Sequence, residues 1–207
     1  ADLDQALDMG VEHLSLYQLT IEPNTEFAGR PPGQLPDSDR CWSMQGALQQ
    51  RLKMANYRQY EVSAYTRNAP CRHNVNYWLY GDYLAIGAGA HGKISSSRAV
   101  GGLAITRYWN HRHPKAYLQA AASAGFRADQ SSVRVQSRDL EFLMNALRLV
   151  EGFSIPVYEQ RTGGVEKQLL KKLEPLFNRG WLEQHGASIR ASTKGYRFLD
   201  SVLLELL

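Results

Sequence analysis

Three short runs of β-forming residues, with one long amphipathic stretch between the first two, limit what this chain can fold into. HLSLYQLTI (13–21) presents Leu14, Leu16, Leu19 and Ile21 and is bounded by Glu22-Pro23-Asn24, so it reads as a strand. A Gly- and Pro-rich segment, AGRPPGQLP, follows as a loop. Asp37 is placed to cap a helix running to about Tyr57, in which Cys41, Met44, Leu48, Leu52 and Ala55 recur at helical spacing and form one stripe to bury. QYEVSAY (59–65) is a second strand, the polar stretch 66–82 a loop, and YLAIGAGA (83–90) a third strand. Strand, helix, strand, loop, strand is the rhythm of an α/β unit on a parallel sheet. Ligands in such sheets sit at the carboxyl ends of the strands. Pro23, the 66–82 stretch and His91 all follow strand ends, so the expected site lies among them.

Further along, SRAVGGLAITRYWN (97–110) reads as a small β excursion and 113–123 as a helix. After a polar break at 125–136 the character changes. Ser137 can cap a helix through Val150 with Leu140, Leu143, Leu147 and Val150 on one face, and another helix covers 165–178. A tight hairpin around Gly186 and a last helix from Thr193, carrying Tyr196, Leu199, Leu203 and Leu206, complete a winged-helix-like module. The expected domains are therefore 1–124 and 125–207. The opening ADLDQALDMG has no features of a secretory signal and reads as the tail of a helix that follows a strand. With 43% hydrophobic and 21% charged residues the chain has the composition of a soluble folded protein, and its apolar runs are too short for a membrane span. The net charge of +4 is dispersed, and Lys167, Lys171 and Lys172 alternate with Glu166 and Glu174, so no nucleic-acid partner is expected.

Cys41 and Cys71 are the only cysteines. A disulfide scaffold is not expected from so few, and a reducing cytoplasm is the simpler setting. No CxxC or CxxxCxxC occurs, so these residues cannot give three thiolates to an iron–sulfur cubane. The densest chemical constellation is Cys71-Arg72-His73-Asn74-Val75-Asn76-Tyr77-Trp78. His73 offers an imidazole suited to iron or zinc, Tyr77 and Trp78 flat apolar area for a planar ligand, and Arg72 a fork for a carboxylate. The alternative is an ordered loop whose aromatics plug a sheet edge. Gly87-Ala88-Gly89-Ala90-His91-Gly92 lets either a cofactor or a neighbouring strand approach the backbone closely, without being a dinucleotide fingerprint. His91 reads as a ligand, as a donor to substrate, or as a structural histidine. Tyr17, Glu22, Tyr60, Glu61 and Ser63 are polar groups on or beside apolar strands, facing either a cavity or solvent. His111 and His113 have no zinc-site spacing, and no Ser-His-Asp set or acid/base pair is evident.

HLSLYQLTIEPNTEF (13–27), QYEVSAYTRNAPCRHNVNYWLYGDYLAIGAGAHGK (59–93) and the ending SVLLELL (201–207) resemble haem chaperones of the HemW type. These are relatives of the oxygen-independent coproporphyrinogen III oxidases, and the resemblance extends over essentially the whole chain. HNxxYW followed by D-Y-x-x-I-G-x-G-A-H is its most specific part. The resemblance implies an α/β fold: the last units of an incomplete radical-SAM (β/α) barrel, then a mainly helical, winged-helix-like HemN C-terminal domain. It implies that the N-terminal barrel half, with a CxxxCxxC loop for a [4Fe–4S] cluster that binds S-adenosylmethionine, precedes these residues in the full-length parent. The isolated chain is then not expected to perform radical catalysis. Haem binding falls on His73 as iron ligand, with Asn74, Tyr77 and Trp78 completing the motif. Tyr17, Glu22, Gly87, Gly89 and His91 become walls of a substrate or S-adenosylmethionine cavity. The implied function is haem binding and delivery to membrane respiratory enzymes, in the cytoplasm or at the membrane periphery. The alternatives are oxidase activity of the parent, or an inactive packing fragment.

Overall fold

A computed structural model describes residues 2–98, 102–123 and 125–207, and the chain divides into two compact units, residues 1–71 and 72–207. The change of sequence character near residue 125 falls inside the second.

The first unit contains α1 (Asp2–Asp8), β1 (His13–Ser15), α2 (Glu26–Gly29), α3 (Ser38–Met54), β2 (Arg58–Glu61) and β3 (Ala64–Thr66). Asp37 caps α3 as the sequence suggests, its carboxylate accepting from the Arg40 N–H at 2.8 Å. Its stripe is buried only towards the C-terminal end. Leu52 packs with Leu3, Leu7, Tyr57 and Tyr65, Leu48 and Ala55 lie against them, and Met44 is exposed. The strands differ from expectation in direction and length. β3 lies between β1 and β2 and both pairings are antiparallel, not parallel. QYEVSAY is a hairpin rather than one strand, because the Glu61 carboxylate accepts from the Ser63 N–H at 2.9 Å and closes a turn. That turn also explains why β1 stops at Ser15. Ser15 pairs with Ala64, and the next residue along β1 meets the turn, where only Leu16 N–H to Ser63 O (2.8 Å) remains.

The second unit opens with α4 (Arg72–Trp78), a helix where the sequence suggests a loop. β4 (His91–Arg98) and β5 (Gly102–Asn110) form a long antiparallel ribbon from His91↔Trp109 to Arg98↔Gly102. α5 (Pro114–Ser123) follows, and β6 (Arg127–Ser132), lying in the expected polar break, pairs with β5. Then come α6 (Val135–Ala146), β7 (Phe153–Ser154), α7 (Ile155–Thr162), α8 (Glu166–Asn178), β8 (Leu182–His185), β9 (Ser188–Ala191), α9 (Thr193–Arg197) and α10 (Leu199–Leu204). The second sheet has the order β7-β9-β8, with the expected hairpin at Gly186. Phe142, Leu143, Leu147, Tyr158, Leu169, Leu173, Ile189 and Val202 form its fully buried centre. α8 supplies a clean apolar face through Leu169, Leu173 and Leu176. Pro156 starts α7 and Gly163, at φ 72°, ends it in the left-handed region. The expected last helix is broken at Phe198, and no barrel closes among the described strands.

The third expected strand, 83–90, is a loop. Gly87 and Gly89 sit at φ 101° and 71°, outside the conformations a ladder needs. Only Tyr83 keeps β geometry, exchanging both backbone hydrogen bonds with Lys93 at 2.9 and 3.0 Å.

Candidate functional site

Two groups of candidate residues lie in the second unit, on α4 and on the 83–91 loop. α4 places His73 and Tyr77 one turn apart on one face, and Asn74 and Trp78 on the next. The His73 imidazole is exposed and stands edge-on to Tyr77 at 6.3 Å between ring centres. Tyr77, itself 40% exposed, meets Tyr83 edge-to-face at 4.8 Å. Trp78 turns inward instead. The Arg148 guanidinium lies 4.3 Å over its ring, and its indole N–H is enclosed without a hydrogen-bond partner. The structure therefore joins His73 and Tyr77 as an accessible pair and puts Trp78 to packing use.

A Schellman closure ends this helix. Gly81 N–H reaches back to Asn76 O at 2.7 Å and Tyr80 N–H to Tyr77 O at 3.0 Å. Tyr80 takes the left-handed position, φ 57°, where glycine is usual. Its side chain accounts for the exception. The hydroxyl donates to Glu141 Oε2 at 2.7 Å, which Arg107 Nη2 also meets at 2.7 Å, and the Lys93 ammonium sits 4.1 Å over the ring. Burial, then the Glu141 carboxylate, pushes the Tyr80 hydroxyl above the ordinary tyrosine range. Gly81 is required for another reason, since a Cβ there would fall 2.0 Å from Asn76 Oδ1.

The 83–91 loop hangs on side chains rather than on a ladder. Asn110, fully buried, donates its amide to Ala85 O at 3.3 Å and Gly87 O at 2.9 Å. Ala85 N–H donates to the Tyr108 hydroxyl at 3.0 Å and Gly87 N–H to the Tyr117 hydroxyl at 3.3 Å, while Gly89 N–H meets His111 O at 2.9 Å. Gly92 lies flat on Tyr108, where a Cβ would approach the ring to 2.3 Å. His91 is exposed, its ring 6.1 Å from that of Trp109. At the foot of the loop Lys93, 1% exposed, donates to Tyr80 O at 2.8 Å and to Asp82 Oδ1 at 3.1 Å. Asp82 also accepts from Ser95 N–H and Ser95 Oγ, both at 2.8 Å. Burial draws the Lys93 ammonium below the ordinary lysine range against the pull of Asp82. Burial also raises Asp82, but the bonds from Ser95 and Lys93 outweigh it and hold the carboxyl below the usual carboxylate range.

Tyr17 and Glu22 belong to the first unit, in the irregular stretch after β1. Tyr17 is 77% exposed, and Glu22 is exposed with its carbonyl accepting from Thr25 Oγ1 at 2.7 Å. Sequence reading misses the residues that hold the second group: Lys93, Tyr108, Asn110 and Tyr117. A lysine on the inward phase of a β run is a weak signal, and Asn110 carries none beyond closing a strand. Among the described residues no three His, Cys, Asp or Glu side chains converge to hold a metal ion, and no helix is long and apolar enough to cross a membrane.

Residues 138–198 match the HemN C-terminal domain, and the chain as a whole is similar to proteins named heme chaperone HemW. It is 39% identical over 203 residues to the heme chaperone HemW of Haemophilus influenzae, which covers 98% of this chain and 51% of that protein. It is 38% identical to heme chaperone HemW of Escherichia coli, with the same coverage. A mouse protein, radical S-adenosyl methionine domain-containing protein 1, mitochondrial, is 35% identical over 95% of this chain and 46% of its own length. The chain thus spans about half the length of the curated relatives it matches. The fold is shared with the coproporphyrinogen III oxidase HemN from Escherichia coli, a radical SAM enzyme, at a TM-score of 0.69 over 99% of this chain and 50% of that one, with 15% identity.

Proposed function

We propose that this chain is the haem-contacting portion of a haem chaperone, with His73 as an axial ligand to the iron of the cargo. One observation carries the assignment: His73 is exposed on the same face of α4 as Tyr77, whose half-open ring extends the surface beside the imidazole. A porphyrin needs that combination, an imidazole at the surface and a flat apolar wall beside it. The neighbouring Arg72, also exposed, offers a fork to a propionate. Trp78 serves the pair by packing the helix, Asn74 is assigned beside it by the family resemblance, and the 83–91 loop with Gly87, Gly89 and His91 would form the adjoining wall of a cofactor cavity. Tyr17 and Glu22, in the first unit, are assigned to substrate or S-adenosylmethionine contact by the family resemblance alone. Recipients among membrane respiratory enzymes, and a place in the cytoplasm or at the membrane surface, belong to the same proposal.

The residues present do not fit a [4Fe–4S] cluster, since Cys41 and Cys71 are the only thiols and no CxxxCxxC occurs. Cluster and S-adenosylmethionine chemistry is therefore assigned to the full-length parent. Coproporphyrinogen oxidation is the second reading. Only the fold favours it, because the oxidase shares the architecture at 15% identity. A haem titration of the chain and of His73→Ala, followed by visible absorbance, tests the leading reading. A saturable Soret shift in the first that is lost in the second is the expected result. Equal spectra would return His73 to a structural role.

A further inference from the structure

We propose that Tyr83, at the start of the 83–91 loop, is a positioning residue for the haem contact: its ring fixes the plane of Tyr77 relative to the His73 imidazole. Its role rests on the reading of His73 as the iron ligand, and adds the residue on which the orientation of the apolar wall depends.

The need for such a residue follows from α4 itself. The helix is two turns long and none of its seven residues is fully buried. Tyr77 is 40% exposed. A tyrosine so placed has several χ1 wells and a broad χ2 open to it. A wall that must first be ordered offers a flat ligand less, because ordering costs side-chain entropy on binding. The helix closure steadies only the main chain, through Tyr80 N–H to Tyr77 O at 3.0 Å. The ring has to be held by another side chain.

Tyr83 supplies that hold. Its ring centre lies 4.8 Å from that of Tyr77, with 77° between the planes, at the close end of the range for edge-to-face pairs. Turning Tyr77 about χ2 gives up this contact. Tyr83 itself starts from a fixed main chain, although the residues after it form a loop. It exchanges both backbone hydrogen bonds with Lys93, at 2.9 and 3.0 Å. Lys93 is 1% exposed and is paired with Arg107 in the β4–β5 ribbon. The Tyr77 ring is thus referenced, through one partly buried side chain, to the ribbon as well as to its own helix.

The resulting angle suits an axial contact. The His73 imidazole stands at 80° to the Tyr77 ring, with 6.3 Å between centres. A porphyrin lying flat along Tyr77 is therefore nearly perpendicular to the imidazole plane. The lone pair of the imidazole nitrogen lies in that plane, so this is the orientation in which it can address a metal at the centre of the macrocycle. A Tyr77 ring that turns loses the relation.

The test measures haem affinity by visible absorbance on the whole chain and its variants. Tyr83→Leu should weaken binding about 3- to 10-fold, the change that one aromatic pair represents. Tyr83→Phe keeps the ring and should bind as tightly as wild type. In the Tyr77→Ala background, Tyr83→Leu should have no further effect on affinity, because no ring is left to orient. A general packing role would not depend on Tyr77 in this way. Contact between the two rings, read as nuclear Overhauser effects in the haem-free protein, needs no variant and should be present. Its absence would overturn the proposal, as would unchanged affinity in Tyr83→Leu, a Tyr83→Phe protein as weak as Tyr83→Leu, or an undiminished loss in the Tyr77→Ala background. His73→Ala decides the underlying reading separately. Binding unchanged in that variant removes both the His73 assignment and the role of Tyr83, whereas binding that needs His73 but is indifferent to Tyr83 removes the role of Tyr83 alone.

Discussion

Two segments that look alike in sequence, 13–25 and 82–93, are held in opposite ways. Each follows or contains a β-type run, and each is dotted with polar and aromatic residues. After Leu16 the first is an irregular, mainly exposed stretch in which Thr25 bonds to the Glu22 carbonyl. The second is equally irregular in backbone, yet Tyr108, Asn110 and Tyr117 bond its carbonyls and amides one by one, and the buried Lys93–Asp82 pair fixes its base. Lack of regular structure thus describes two different physical states. Buried backbone must be satisfied by something, and in 82–93 that something is side chains from β5 and α5.

The contrast is sharpest where a charge is enclosed. Replacing Asp82 by Asn leaves the Lys93 ammonium buried with only neutral partners, and denaturant unfolding should show a loss of about 3 kcal/mol; the low end applies because the Asp82 side chain is a third open to solvent. The double variant Asp82→Asn/Lys93→Met should recover most of that loss, and failure to recover would mean that Asp82 acts through Ser95 instead. Next in size, Gly92→Ala drives a methyl into the Tyr108 ring and should cost about 2 kcal/mol by thermal unfolding, in spite of the glycine's ordinary backbone angles. Asn110→Ala removes two bonds to the loop and should cost about 1–2 kcal/mol, with faster hydrogen exchange concentrated at residues 85–90. In the first segment, Tyr17→Ala and Glu22→Gln should change stability by less than about 0.5 kcal/mol. A larger loss there would break the comparison.

Acid provides a further separation. The folded Asp82 carboxyl lies below its unfolded value of about 3.9, so its stabilisation is present above that pH and disappears as pH falls through the folded value. The stability gap between wild type and Asp82→Asn should therefore be constant from about pH 6 down to about pH 4 and shrink below it. A gap that begins to close near neutrality would assign the effect to another group.

Local patterns were readable wherever one segment decides its own structure. Asp37 with the periodicity of α3, the apolar face of α8, and Gly186 between two β runs each declare an element without help from elsewhere. Pairing partners were not readable, because antiparallel and parallel neighbours use the same β-forming residues. QYEVSAY hides a turn because its Glu61–Ser63 closure is made by residues that also suit a strand. α4 is two turns long, too short for periodicity to register, although its HNxxYW spacing already sets His73 and Tyr77 four apart. YLAIGAGA has strand-like composition at Tyr83-Leu84-Ala85-Ile86, and only the positive φ of Gly87 and Gly89 turns it away. As for the candidate site, the α4 residues proposed for it stand out in the sequence, whereas Lys93 and Asn110 do not, since they act across distances that no local pattern records.

The side-chain anchoring of the 83–91 loop also bears on how such a protein can vary over evolutionary time. In a sheet ladder, one inserted residue shifts the register and turns every later side chain to the opposite face. Here the hooks reach Ala85, Gly87, Gly89 and Ala90, and the exposed Ile86 and Ala88 lie between them. Changes at those two positions leave the ribbon of β4 and β5 in register. Relatives are thus free to vary this loop while inheriting the same frame, and diversity among them should concentrate between the hooks rather than at them.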